Sequence, residues 1–150
     1  MRTRKVLGWR EWLALPQLGI EAIRAKVDSG ARSSALHVED LTTWNEGDDI
    51  EWVRFTVHTG VGDELRECVS RVVDRRPVTD SGGHTSERVF IRTQMALAGR
   101  RFPIEINLTN RRNMLFPMLL GRTAMARRFL IDPQRSFVFG DRDDEAGTSA

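Results

Sequence analysis

The sequence predicts an all-β chain, and three observations carry that expectation. Short segments alternate apolar and polar residues at period two, glycine- or asparagine-bearing turns separate them at close intervals, and only Thr123 to Phe129 reads as helix. Many short strands with one short helix point to a barrel. A length of 150 residues suits one domain, able to bury about two thirds of its extended-chain surface.

The first strand is expected from Val6 to Leu18, with Trp9, Glu11, Leu13 and Leu15 on one parity and Arg10, Trp12 and Ala14 on the other. Apolar bulk on both faces suits an outer strand packed on the domain or at an oligomer seam. Pro16-Gln17-Leu18-Gly19 turns the chain, Ile20 to Val27 runs to Asp28, and Ala35 to Val38 leaves that turn as another strand. Thr42 to Asp49 is polar and reads as a loop. Ile50 to His58 alternates cleanly, with Val53, Phe55 and Val57 facing one way, and Leu65 to Val73 returns as its hairpin partner. Between Val78 and Val89 lies a small, polar segment, Thr79 to Glu87, which reads as a mobile hairpin tip. Arg88 to Leu97 and Arg101 to Leu108 form a hairpin about Ala98-Gly99-Arg100, with Pro103 demanding an edge or a bulge. Phe129 to Pro133 and Ser136 to Phe139 supply the last strands, so that residues 1–140 make the domain and 141–150 a flexible tail.

Composition narrows the class of function. The net charge of +2 implies no nucleic-acid partner, and no apolar run approaches the length of a membrane span. Met1-Arg2-Thr3-Arg4-Lys5 leads into no signal-peptide core, and a single cysteine, Cys68, excludes an internal disulfide, so a cytoplasmic location is expected. Lys5 and Lys26 are the only lysines, so arginine supplies nearly all the positive charge, much of it in pairs such as Arg75-Arg76, Arg111-Arg112 and Arg127-Arg128. Such pairs read first as solvated surface, although guanidinium groups also grip carboxylates and phosphates bidentately.

Two stretches carry the chemistry. Ala25-Lys26-Val27 ends at Asp28, and Ser29-Gly30-Ala31-Arg32 follows at once. A strand thus delivers a carboxylate into a tight turn, where Gly30 gives backbone freedom and Ser29 can bond locally. Far downstream, Pro117-Met118-Leu119-Leu120 reads as a strand buried on both faces, followed by Gly121-Arg122 and the short helix. Asp80-Ser81-Gly82 repeats the acidic triplet, but no apolar strand delivers Asp80, and it reads as a plain hairpin loop.

The pair of stretches, in this order, resembles the retropepsin-like aspartic proteases, and in particular the bacterial branch labelled ATP-dependent zinc proteases and associated with ATP-grasp glutamate ligases. The resemblance covers about residues 5 to 140. It implies a closed β-barrel acting as a homodimer, with Asp28 catalytic, Ser29, Gly30, Ala31, Arg32, Gly121 and Arg122 lining or supporting the site, and a flap at Gly82, Gly83 and His84. Peptide hydrolysis by carboxylates needs two acids sharing one proton. One chain offers one well-placed Asp, so two copies, each giving its Asp28, make the economical solution.

In many retroviral-type enzymes an acid follows the alanine and pairs with the arginine of Gly-Arg; here Arg32 stands there. Arg122 is therefore expected to pair with Glu11 or Asp132, and Arg32 is free to meet an acidic substrate side chain. Against the zinc in the branch's label, His37, His58, His84 and Cys68 are scattered without metal-ligand spacing, so no metal cofactor is expected, and Cys68 reads as an ordinary buried thiol. The leading expectation is an aspartic endopeptidase acting on peptides or ligase-added glutamate tails, with a functional link to such a ligase. The alternatives are a non-catalytic peptide-binding dimer and a zinc peptidase.

Overall fold

The computed structural model describes residues 3–47, 49–110 and 115–140. Asp48, the Arg111-Arg112 pair and the expected tail, 141–150, lie outside the described residues. The fold is mostly β: strands β1 (Lys5–Leu7), β2 (Arg10–Leu15), β3 (Ile20–Val27), β4 (Ser34–His37), β5 (Glu39–Asn45), β6 (Glu51–His58), β7 (Leu65–Arg71), β8 (Asp74–Thr79), β9 (Thr85–Leu97), β10 (Arg100–Thr109), β11 (Met118–Leu120) and β12 (Phe129–Ile131), with one short helix, α1 (Arg122–Met125).

The main sheet runs β10-β4-β11-β3-β2-β9-β8, and β9 pairs back with β10, so six strands close a hydrogen-bonded ring. Eight residue pairs join β9 to β10, whereas β2 meets β9 through the single pair Ala14↔Ala96. A second sheet, β5-β6-β7, lies outside the ring and turns Val53, Phe55 and Val57 into the core, as their alternation requires. There they join Leu7, Ile23, Leu36, Met95, Ile106 and Met118, all fully buried.

The element closest to the motifs is the most constrained. β11 is parallel to β3 and antiparallel to β4, and it lies between them. The consecutive strands β3 and β4 are therefore not neighbours, and the loop from Asp28 to Ser33 must arch over the end of β11. Neighbouring strands lie about 4.8 Å apart, so this loop bridges roughly 10 Å.

Several expected elements are corrected. Gly8-Trp9 breaks the first strand, because a Cβ on Gly8 would lie 2.3 Å from the Arg135 carbonyl oxygen. Chain segments cross there at a distance only glycine permits. β2 is no outer strand; it pairs with both β3 and β9. Thr42 to Asp49 is not all loop: Glu39–Asn45 is an edge strand paired only with β6 and exposed almost throughout, which leaves no apolar alternation to read. Helix α1 ends at Met125 rather than Phe129, with Ala126 extended and Arg127 at φ +71°. Ser136 to Phe139 is not a strand. Pro103 behaves as expected, since it pairs with Gln94 of β9 while β4 engages β10 only from Ile106 onward.

Residues 136–139 are held by a side chain instead of a ladder. The Glu11 carboxylate, fully buried, accepts the backbone N–H groups of Gly8 at 2.7 Å, Val138 at 3.1 Å and Phe139 at 3.3 Å. Buried donors left without a partner cost about 1–3 kcal/mol each. Glu11→Ala is therefore expected to destabilise the fold by about 3 kcal/mol or more, which thermal unfolding reads as a Tm lower by roughly 6–12 °C for a domain of this size.

Candidate active site

Asp28 emerges at the end of β3, half-buried, its N–H donating to the Leu120 carbonyl at 2.9 Å. One carboxylate oxygen, Oδ1, accepts the Gly30 N–H at 3.0 Å, and Ala31 N–H returns to the Asp28 carbonyl at 3.3 Å. The turn is thus fastened by the aspartate itself. Ser29 does not fasten it: its hydroxyl is exposed and makes no hydrogen bond among the described residues. Nor does Gly30 need a left-handed backbone; a Cβ there would meet Asp28 Oδ1 at 3.2 Å, tighter than ordinary contact.

The second motif seats the first. Arg122 N–H donates to the Ala31 carbonyl at 2.7 Å, and Thr123 gives both its N–H (3.1 Å) and its hydroxyl (3.0 Å) to the Arg32 carbonyl. Gly121 donates its N–H to Ser34 Oγ at 3.0 Å. A Cβ on Gly121 would sit 2.4 Å from the Ser33 carbonyl carbon and 2.8 Å from the Ser34 nitrogen, both backbone atoms that cannot swing away. Arg122 pairs with neither expected acid: its Nη1 donates to the Ser29 carbonyl at 3.1 Å. Glu11 is consumed by the three amides described above, and Asp132 Oδ1 accepts Gln134 N–H. A backbone carbonyl takes the place that an acid would occupy, and sequence alone carries no sign of it.

Around Asp28 lies a cavity of about 350 Å³ lined by Gly30, Ala31, Leu119, Arg88 and Asn107 from below and Val78 to Ser81 of the β8–β9 hairpin from above. It continues past Gly30 and Ala31 into a groove of about 490 Å³ and then one of about 340 Å³. The walls of that extension carry Arg32, Arg76, Arg122 and Arg128 against the lone acid Glu105. Arg76 is already engaged by Asp74 and Glu105, and its hydrogen bond to Asp74 holds that carboxyl below its ordinary range. Arg32 is exposed and makes no side-chain hydrogen bond or ion pair among the described residues.

The hairpin is hydrogen-bonded internally at its tip. Asp80 Oδ1 accepts Gly82 N–H at 2.9 Å and His84 N–H at 3.0 Å, and Gly83 takes φ +82°, which favours glycine. Asp80 is therefore the turn-former that the sequence implies, yet it also lines the Asp28 cavity. Gly82, Gly83 and His84 do not line it; the residues facing Asp28 are Val78, Thr79, Asp80 and Ser81. At the hairpin's root, Arg75 binds Glu51 of β6 and holds that carboxyl below its usual range through the hydrogen bond.

The donors for a metal do not converge. His58 Nε2 sits 3.2 Å from Glu39 on an exposed surface, His84 lies at the solvated hairpin tip, and His37 ends β4 with its N–H on the Pro117 carbonyl. Among the described residues no group of three or more His, Cys, Asp or Glu side chains is placed to hold an ion of the kind that zinc sites bind. Burial pushes the Cys68 thiol up to about 11, and its Sγ donates to the Leu18 carbonyl, an inert setting.

A family model described as retropepsin-like aspartic endopeptidase RimB matches residues 6–142. The chain belongs to this RimB-like family. Relatives named probable alpha-L-glutamate ligase share 43% identity over 149 residues in Parasynechococcus marenigrum and 40% over 142 in Shewanella pealeana, covering 95% and 93% of this chain. The matched region is 31% of each relative, so the chain spans about a third of the length of the curated relatives it matches. A crystal structure of a Legionella pneumophila protein of unknown function superimposes with a TM-score of 0.74 at 29% identity, covering 92% of this chain and all of that one. The RimB-like fold is thereby matched across nearly its whole length.

The Gly121 crossing is the site's steric test. Gly121→Ala must push the Ser33–Ser34 backbone off β11, an overpacking expected to cost about 3 kcal/mol. Thermal unfolding should register it, and amide exchange from Asp28 to Ser34 should rise more than in β5–β7.

Proposed function

We propose that this RimB-like chain is an aspartic endopeptidase that works as a twofold homodimer, each copy contributing its Asp28. The observation that carries the reading is the state of that carboxylate. Oδ1 is fixed by Gly30 N–H, while Oδ2 accepts no hydrogen bond among the described residues and the group faces a cavity covered by a hairpin. A second copy brings a second carboxylate, and two acids so close share one proton. The ionised one takes a proton from water as the water oxygen bonds to the scissile carbonyl carbon, while the protonated one gives its proton to the carbonyl oxygen. Return of a proton to the amide nitrogen then lets the C–N bond break. The exposed Ser29 hydroxyl is available for a bond across the axis, and Val78 to Ser81 form the covering face of the flap.

No metal enters this chemistry. The unengaged Arg32, in a groove walled by guanidinium groups, favours substrates with carboxylates beside the scissile bond, and the relatives' ligase name makes a glutamate-ligated peptide the matching class. The proposed reaction, on a ligase-made substrate, is a cytoplasmic one.

Two experiments test the reading. With a quenched-fluorescence peptide bearing an oligo-α-glutamate tail, Asp28→Asn is expected to abolish cleavage while sedimentation still reports a dimer. A statine-type mimic should inhibit and a chelator should not; activity lost to the chelator, or retained by Asp28→Asn, overturns the assignment. Arg32→Ala is expected to lower kcat/KM for the glutamate-tailed peptide about tenfold relative to a neutral one, the scale of one lost charge-assisted hydrogen bond. Unchanged relative rates would remove Arg32 from recognition.

A further inference from the structure

One charged side chain in the cavity floor has no part in the chemistry above. Arg88, near the hairpin end of β9, is only 8% exposed. Its Nη1 donates to Asn107 Oδ1 at 3.0 Å, and its Nε reaches Ser86 Oγ at 3.3 Å. Asn107, 1% exposed on β10, donates from Nδ2 to the Ser34 carbonyl at 2.9 Å. Ser34, itself fully buried, closes the loop that begins at Asp28, and its Oγ accepts the Gly121 N–H. The direction of every bond is forced: guanidinium can only donate and a carbonyl can only accept, so the amide must present oxygen to Arg88 and nitrogen to Ser34.

An aliphatic side chain of similar length would fill the Arg88 space without the desolvation cost of a buried cation. What the guanidinium adds is direction. It links β9, which carries the hairpin over the cavity, to β4 and β11, which hold the Asp28 turn from beneath. We propose that Arg88 and Asn107 are positioning residues: through Ser34 they tie the seat of the Asp28 turn to the root of the covering hairpin, so that the hairpin's placement and the carboxylate's alignment are set together. The proposal rests on the peptidase reading for its catalytic consequence but not for its structural one. The acidic residues that line the same cavity are Asp28 and Asp80.

The test uses the full chain and three variants. Arg88→Met removes the first link; Asn107→Asp keeps an acceptor for Arg88 but loses the donor to Ser34; Arg88→Lys restores a single donor. Amide hydrogen exchange over residues 28–34 and 120–123 is expected to speed about tenfold in Arg88→Met and Asn107→Asp, to stay near wild type in Arg88→Lys, and to leave β5–β7 unchanged in all three. On the glutamate-tailed peptide, the first two variants should lose roughly tenfold to hundredfold in kcat with KM within about twofold, the pattern of a misaligned reacting group rather than a lost binding contact. Exchange that rises only in β9 and β10, or a loss confined to KM, overturns the proposal. Should Arg88→Met fail to fold, Asn107→Asp decides alone. If the wild-type chain cleaves no peptide, the peptidase reading falls while the exchange measurement still decides the coupling.

Discussion

The structure depends on one close crossing, where Gly121 passes beneath Ser33 and Ser34 with no room for a side chain. Because β11 is inserted between β3 and β4, the chain cannot return directly after Asp28 and must bridge over the strand's end. Backbone bonds on either side of the crossing, Asp28 to Leu120 and Arg122 to Ala31, then fix the bridge in height and register. The carboxylate's rigidity is a property of main-chain geometry. Side chains refine it; the strand order creates it.

Which parts of this were legible in the sequence follows from how each is held. Val53, Phe55 and Val57 alternate because one face of β6 is buried. Met118 and Leu120 are likewise fully buried, but Leu119 between them is only partly buried and lines the Asp28 cavity, so the unbroken apolar run does not mark a strand buried on both faces. β5 was illegible because nearly every residue in it is exposed, so nothing constrains its pattern. Ser136 to Phe139 misleads in the opposite sense: Phe137-Val138-Phe139 has the aromatic and β-branched composition of a strand, but the segment is pinned by the distant Glu11. At the site, the Asp-Ser-Gly and Gly-Arg stretches could be located from local patterns. The partner of Arg122 could not, because a backbone carbonyl has no sequence signature, and neither could the Arg88–Asn107–Ser34 chain, whose members are separated by up to 73 positions.

The hairpin over the cavity shows a division between anchored root and small, hydrogen-bonded tip. Arg75 reaches β6 and Arg76 reaches β10, so β8 is tied to both of its surroundings. Exposed ion pairs of this kind each contribute little to stability, and their effect here is orientation. Asp80 closes the tip internally and, with Val78, Thr79 and Ser81, also lines the cavity that holds Asp28.

The single residue pair joining β2 to β9 gives the ring an uneven circumference. The ring is least cross-linked by backbone ladder at Ala14 and Ala96, where the Gln17 side chain spans to Thr93 and Gln94 of β9 instead. β11 and β4 lie across the ring from that seam, while β3, which delivers Asp28, is separated from it by β2 alone.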